Sequence, residues 1–138
     1  MLAQEQQELK EKYYSEAIKY MDDAREHLQN AQKVGSFYRD PKHVKTACGI
    51  AYNGLLIALD CFLMLKGIPK PNKKGKNSIE YYQSKITKTD NMLIYLNVAY
   101  KILHLSGYYD GIESVKVINE GFYCADKVIE KIKPKAEA

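Results

Sequence analysis

The chain has 138 residues, 46% hydrophobic and 28% charged, with a net charge of +4. This is the balance of one globular domain, long enough to bury a core and short for two, and it excludes a disordered or membrane chain. The charge is local, because Lys66, Lys70, Lys73, Lys74 and Lys76 crowd into "KGIPKPNKKGKN" and the remainder balances to about −1.

The N-terminal "MLAQEQQELKEK" is polar and glutamate-rich, unlike a secretory signal or a transit peptide. From Glu5 to Val34, Tyr14, Ala17, Met21, Ala24, Leu28 and Ala31 recur at steps of three and four, which predicts one apolar stripe on a first helix. Gly35 is the expected stop, and Asp40 with Pro41 marks the next start. The second helix is expected to run to Lys66 and stop at Gly67. Its apolar run, Ile50 to Leu65, is broken by Asn53 and Asp60 and is short for a bilayer. The loop from Ile68 to Lys76 is too poor in apolar residues to pack.

Asn77 with Glu80 forms a capping box for a short third helix reaching about Lys88, with Ile79, Tyr82 and Ile86 on its apolar side. Asp90 caps a fourth, "NMLIYLNVAYKILHLSG", ending near Gly107. Asp110 with Glu113 repeats the box for a fifth, whose Ile118, Phe122, Ala125, Val128, Ile129 and Ile132 share a face before Pro134. No strand-like alternation competes. The expected fold is all-α, an antiparallel four-helix bundle with an additional short helix. It forms one domain over 1–138, with a polar N-terminal extension 1–6, a Lys-rich loop 67–77 and a tail 134–138.

At about 100° per residue, Val44, Ala47, Cys48, Ala51, Leu55, Leu59 and Phe62 form the core side of the second helix, while Gly49, Asn53 and Asp60 gather opposite. The fourth helix repeats this with Asn97, Lys101 and His104. Each helix therefore has one thin polar seam. Either each seam meets solvent, or both face a shared groove in which Asp60 pairs with Lys101 or His104 and Asn53 with Asn97.

Cys48, Cys61 and Cys124 are odd in number and lack C-x-x-C spacing, so they read as buried thiols in a reducing compartment. His27, His43 and His104 stand apart, without metal-site spacing; no metal or cofactor is expected. No nucleophile motif or phosphate loop is present. The candidate basic loop of Lys70, Lys73, Lys74 and Lys76 gives nucleic-acid binding weak support, since no tyrosine interleaves it. Twelve tyrosines, including the pairs Tyr13 with Tyr14, Tyr81 with Tyr82 and Tyr108 with Tyr109, suit an interface at the bundle edge.

The segment "AYNGLLIALDCFLMLKG" resembles the central helix of HEPN and nucleotidyltransferase substrate-binding bundles, with Ala58 at the small position, Asp60 at the acidic one, then Leu63 and the closing Gly67. "LNVAYKILHLSGYYDG" is similar to that family's closing segment, and the likeness runs in order from Ala17 to Ile132. Ribonuclease members carry an arginine followed by a histidine on a late helix. Here the arginines are Arg25 and Arg39; Arg39 precedes His43 by four positions before the second helix, and His104 has only Lys101 and Lys66 as basic company. The resemblance thus implies a member without the catalytic pair. The expected function is a non-enzymatic, homodimeric, cytoplasmic module binding a protein partner or small ligand, with candidate residues Asn53, Asp60, Asn97, Lys101 and His104 and no membrane contact. The alternative is a HEPN-type ribonuclease or nucleotide-handling enzyme using the groove between the second and fourth helices.

Overall fold

The computed structural model describes residues 1–68 and 78–136. Lys70, Lys73, Lys74, Lys76 and the Asn77 half of the expected capping box lie outside them. Helix α1, Ala3–Asn30, buries Ala17, Met21, Ala24 and Leu28 along its expected stripe. Small residues on this face let the next helix come close: a Cβ added at Gly54 would lie 3.0 Å from Tyr20 Cβ and 3.3 Å from the Ala17 carbonyl oxygen.

The end of α1 corrects the sequence expectation. The helix stops at Asn30, Gln32 takes the left-handed conformation with φ 55°, and a hairpin follows, β1 Lys33–Val34 with antiparallel β2 Phe37–Tyr38. Gly35, with φ 62°, makes the two-residue turn that such a hairpin needs and does not end the helix. The expected absence of strands fails because two residues per strand are too few to show a period. The outer edge of β2 is also paired: Tyr38 N–H donates to the Glu113 carbonyl at 2.8 Å and Val115 N–H to the Ser36 carbonyl at 3.0 Å. This ties the α1–α2 connection to the start of the last helix.

Helix α2, Pro41–Leu65, begins as expected, with Asp40 accepting from Lys42 N–H at 2.9 Å, and Gly67 follows its end at φ 84°. It is the central helix. Val44, Ala47, Cys48, Ala51, Leu55 and Leu59 are fully buried, and Tyr52, Leu56, Cys61 and Leu63 are buried on its other sides. Phe62 is only half-buried, with the Lys66 ammonium 4.5 Å from its ring centre. Among the described residues, α2 alone is long and apolar enough to cross a membrane; its packing against α1 and the later helices accounts for that composition.

Helix α3, Ile79–Lys85, is capped by Ser78, which accepts from Tyr81 N–H, and it ends earlier than expected. Ile79, Tyr82 and the following Ile86 are buried as predicted. Helix α4, Asn91–Ala99, starts at the Asp90 cap, but the expected continuous helix changes character at Tyr100. Residues Tyr100–Tyr109 form a π-helix, whose hydrogen bonds span five residues and whose turns are wider than those of an α-helix. The Asp110 and Glu113 capping box is not formed. Gly111, φ 64°, turns the chain, and Ser114 caps α5, Val115–Ile129, by accepting from Val117 N–H. The predicted apolar face of α5 is buried throughout, and one 3-10 turn, Glu130–Ile132, closes the helix. The described structure is thus the expected all-α bundle of five helices, with a small hairpin added.

Candidate functional site

Close approach between α2 and the π segment sets the site. Gly107 lies on Cys48, where an added Cβ would stand 2.7 Å from Cys48 Cβ, and a Cβ at Gly49 would stand 2.8 Å from Tyr108 Cδ1. The His104 ring stacks on Tyr52 of α2 with centroids 4.5 Å apart. Within the π segment, Tyr100, Tyr108 and Tyr109 stand four or five residues from His104, the steps that meet across a widened turn. Their ring centroids lie 5.4, 6.0 and 5.0 Å from that of His104. His104 is therefore surrounded by four tyrosines.

This cluster walls a cavity of about 470 Å³ lined by Thr46, Gly49, Ile50, Tyr52, Asn53, His104, Tyr108 and Tyr109. The volume falls within the usual range for small-molecule sites. Tyr52 and His104 also border a smaller cavity of about 270 Å³, whose lining includes Ser78, Glu80 and Tyr100. Burial, helped by the nearby Tyr100 and Glu80, pushes the Tyr52 hydroxyl up to about 12, so it is neutral at physiological pH. The Thr46 hydroxyl donates to the Lys42 carbonyl at 3.0 Å.

The five candidate seam residues are divided. Asn53 and His104 meet in the larger cavity. Asp60 does not pair with Lys101 or His104; it accepts a 2.7 Å hydrogen bond from the Tyr82 hydroxyl of α3. Asn97 likewise accepts from Gln83 Nε2 at 2.8 Å, in place of the expected Asn53 pairing. Lys101 is exposed, and no ion pair among the described residues includes it. Register explains the correction: Tyr52 sits opposite His104, and Asp60 is two turns further along α2, about 12 Å away at 1.5 Å per residue. Helix α3 then takes up both distant seam residues.

The aromatic shell was missed at sequence level, apart from the Tyr108 and Tyr109 pair. A signal was available in Tyr100, His104 and Tyr108 at steps of four. The arginine–histidine spacing leads elsewhere. His43 lies 3.7 Å from Asp40 and its ring 6.1 Å from that of His27, whereas Arg39 is exposed beside a separate cavity of about 340 Å³. Among the described residues, no group of three His, Cys, Asp or Glu side chains is arranged to hold a metal.

Residues 12–134 match the model of a family described as a domain of unknown function, DUF5618. The chain belongs to this family. The DUF5618 region includes both walls of the His104 cleft. A solved structure of a protein of unknown function from Dyadobacter fermentans is similar, with a TM-score of 0.77 and 29% identity, covering 89% of this chain and 94% of that one. No curated protein matches.

Elsewhere in the DUF5618 domain, a cavity of about 380 Å³ is lined by Arg25, Lys33, Asp126 and neighbours. Arg25 is already bonded to Asp126 at 2.5 Å and lies over the Phe122 ring, so this pair reads as a structural clasp between α1 and α5. Burial raises the Asp126 carboxyl, and Arg25 partly offsets the rise.

The cysteines are poor nucleophiles. Burial alone pushes Cys48 from 9.0 up to about 12, and Cys61 rises to about 11 by burial with slight opposition from Lys10. An acid raised in the folded state contributes stability below its unfolded pKa and loses it as pH climbs through the folded one. The urea midpoint is therefore expected to fall from about pH 9 upward, and less steeply in Cys48→Ala. A parallel fall in both proteins would contradict burial of the Cys48 thiol.

Proposed function

We propose that this DUF5618 chain is a non-enzymatic binding module that takes a small ligand into the cleft between α2 and the π segment. The observation that carries this is the placement of His104 among Tyr52, Tyr100, Tyr108 and Tyr109 on the wall of a cavity of about 470 Å³. Long π-helical stretches are rare, and π-bulges recur at functional sites. The Cys48 thiol, packed against Gly107 on the α2 side, is held protonated by burial and is a poor nucleophile. The HEPN-type likeness is kept as a proposal resting on Ala58, Asp60, Leu63 and Gly67 in α2. A ribonuclease would degrade RNA and lose that activity on His104→Ala. The purified chain is expected to leave RNA intact; cleavage abolished by His104→Ala would contradict the non-enzymatic reading.

The module is further proposed to be a homodimer. The apolar excess of α2 is covered within the chain, but Ile94 at 63% and Leu105 at 39% remain exposed on α4 and the π segment. Burying such side chains between two copies removes apolar surface from water. Light scattering at micromolar concentration should give twice the 15.8 kDa chain mass, and Ile94→Glu should lower it. A monomer in the parent protein would contradict dimerisation.

A further inference from the structure

We infer that the His104 cleft is built for a flat, uncharged aromatic ring with a polar edge, a narrower statement that rests on the cleft being a binding site. The rings already present set the orientation. The His104 plane is within 26° of Tyr52 and 3° of Tyr108, whereas Tyr109 stands at 79° to it. Parallel faces beside a perpendicular edge offer the two geometries, offset stacking and edge-to-face contact, by which aromatic rings attract one another. Gly49 makes this possible on the α2 side, since a side chain there would strike the Tyr108 ring at 2.8 Å.

Charge narrows the ligand. Among the described residues, the lining of this cavity contains no Lys, Arg, Asp or Glu. Against these side chains a phosphate or carboxylate would lose water without gaining a Lys or Arg counter-charge, and an ammonium would find a carboxylate only at Glu80, on the smaller cavity that Tyr52 and His104 also border. A neutral ring incurs neither penalty. Asn53 and Thr46 place an amide and a hydroxyl oxygen on the lining, suited to one polar edge.

Exposure supplies an independent reason. Tyr108 is 46% and Tyr109 61% exposed beside this cavity. A ring seated there would cover apolar surface now facing water. Tyr109 is the more exposed of the two, so its removal takes little from the buried core.

The test titrates the full chain at about pH 8 with five probes, reading the His104 ring-proton NMR signals and the apparent affinity. Indole and benzimidazole are neutral rings; indole-3-acetate and tryptamine are the anionic and cationic counterparts; cyclohexanol is a neutral, non-aromatic control. The two neutral rings are expected to shift His104, the charged ones to bind at least about fivefold more weakly, and cyclohexanol to have no effect. Tyr109→Ala should weaken indole binding by about three- to tenfold. A charged probe, or cyclohexanol, binding as tightly as indole at His104 would overturn the ligand class while leaving the cleft as a binding site. No shift at His104 with any ring overturns the inference itself. Ring binding that shifts only His27 or His43 would overturn the site as well.

Discussion

Replacing Gly107 by alanine is expected to destabilise the protein by about 1 to 3 kcal/mol, the usual range for overpacking a filled core. The added methyl would lie 2.7 Å from Cys48 Cβ, closer still to Cys48 Sγ, and 3.0 Å from the Ile102 carbonyl oxygen. Two of these obstacles cannot swing aside: the carbonyl is backbone, and Cys48 is fully buried in α2. Either the π segment moves away from α2 or its turn is distorted, and both would open the His104 cleft. Cys48→Ala removes the sulfur but not the Cβ, so the double variant should be more stable than the two single losses added together. Urea melts of the four proteins decide this. An unchanged midpoint in Gly107→Ala would contradict the close approach of the two helices.

Asp60→Ala is expected to cost about 1.5 to 3 kcal/mol, because it removes a charged acceptor from the hydroxyl of Tyr82. Tyr82 is 1% exposed, and its bond to Asp60 fastens α3 onto the central helix. Tyr82→Phe deletes the donor while keeping the ring, so a cycle combining it with Asp60→Ala should show strong coupling. Combining Asp60→Ala with Lys101→Ala or His104→Ala should be additive to within about 0.5 kcal/mol, as expected of side chains that are not directly bonded to one another. Coupling to His104 larger than that to Tyr82 would restore the groove pairing that the register of α2 argues against.

The limits of helical patterning are visible in these residues. Asp40, Pro41 and Gly67 delimit α2 in the sequence because capping chemistry is local, and the α5 face from Ile118 to Ile132 is legible because a single helix sets its period. The seams were only half legible. Angles around one helix place Asp60 with Asn53, but they hold no information about α3, which covers Asp60 and Asn97 and leaves Asn53 and His104 facing the cleft. The π segment was not legible at all. Its sequence fits an ordinary α-helix, and its contact with α2, Gly107 on Cys48, joins residues far apart in the chain. The hairpin rested on one local sign, the Gly35–Ser36 pair between Val34 and Phe37, which also suited a helix stop.

The most direct measurement is a titration of protein carrying ¹³C-labelled histidine and tyrosine with the small-molecule fraction of a cell extract, followed by NMR. If the cleft between α2 and the π segment is the binding site, His104, Tyr108 and Tyr109 should shift together and saturably. His27 and His43, paired with Asp23 and Asp40 beyond the cleft lining, should stay fixed. Saturable shifts confined to His27 and His43, or to tyrosines of α1 such as Tyr13 and Tyr14, would contradict the assignment of the site.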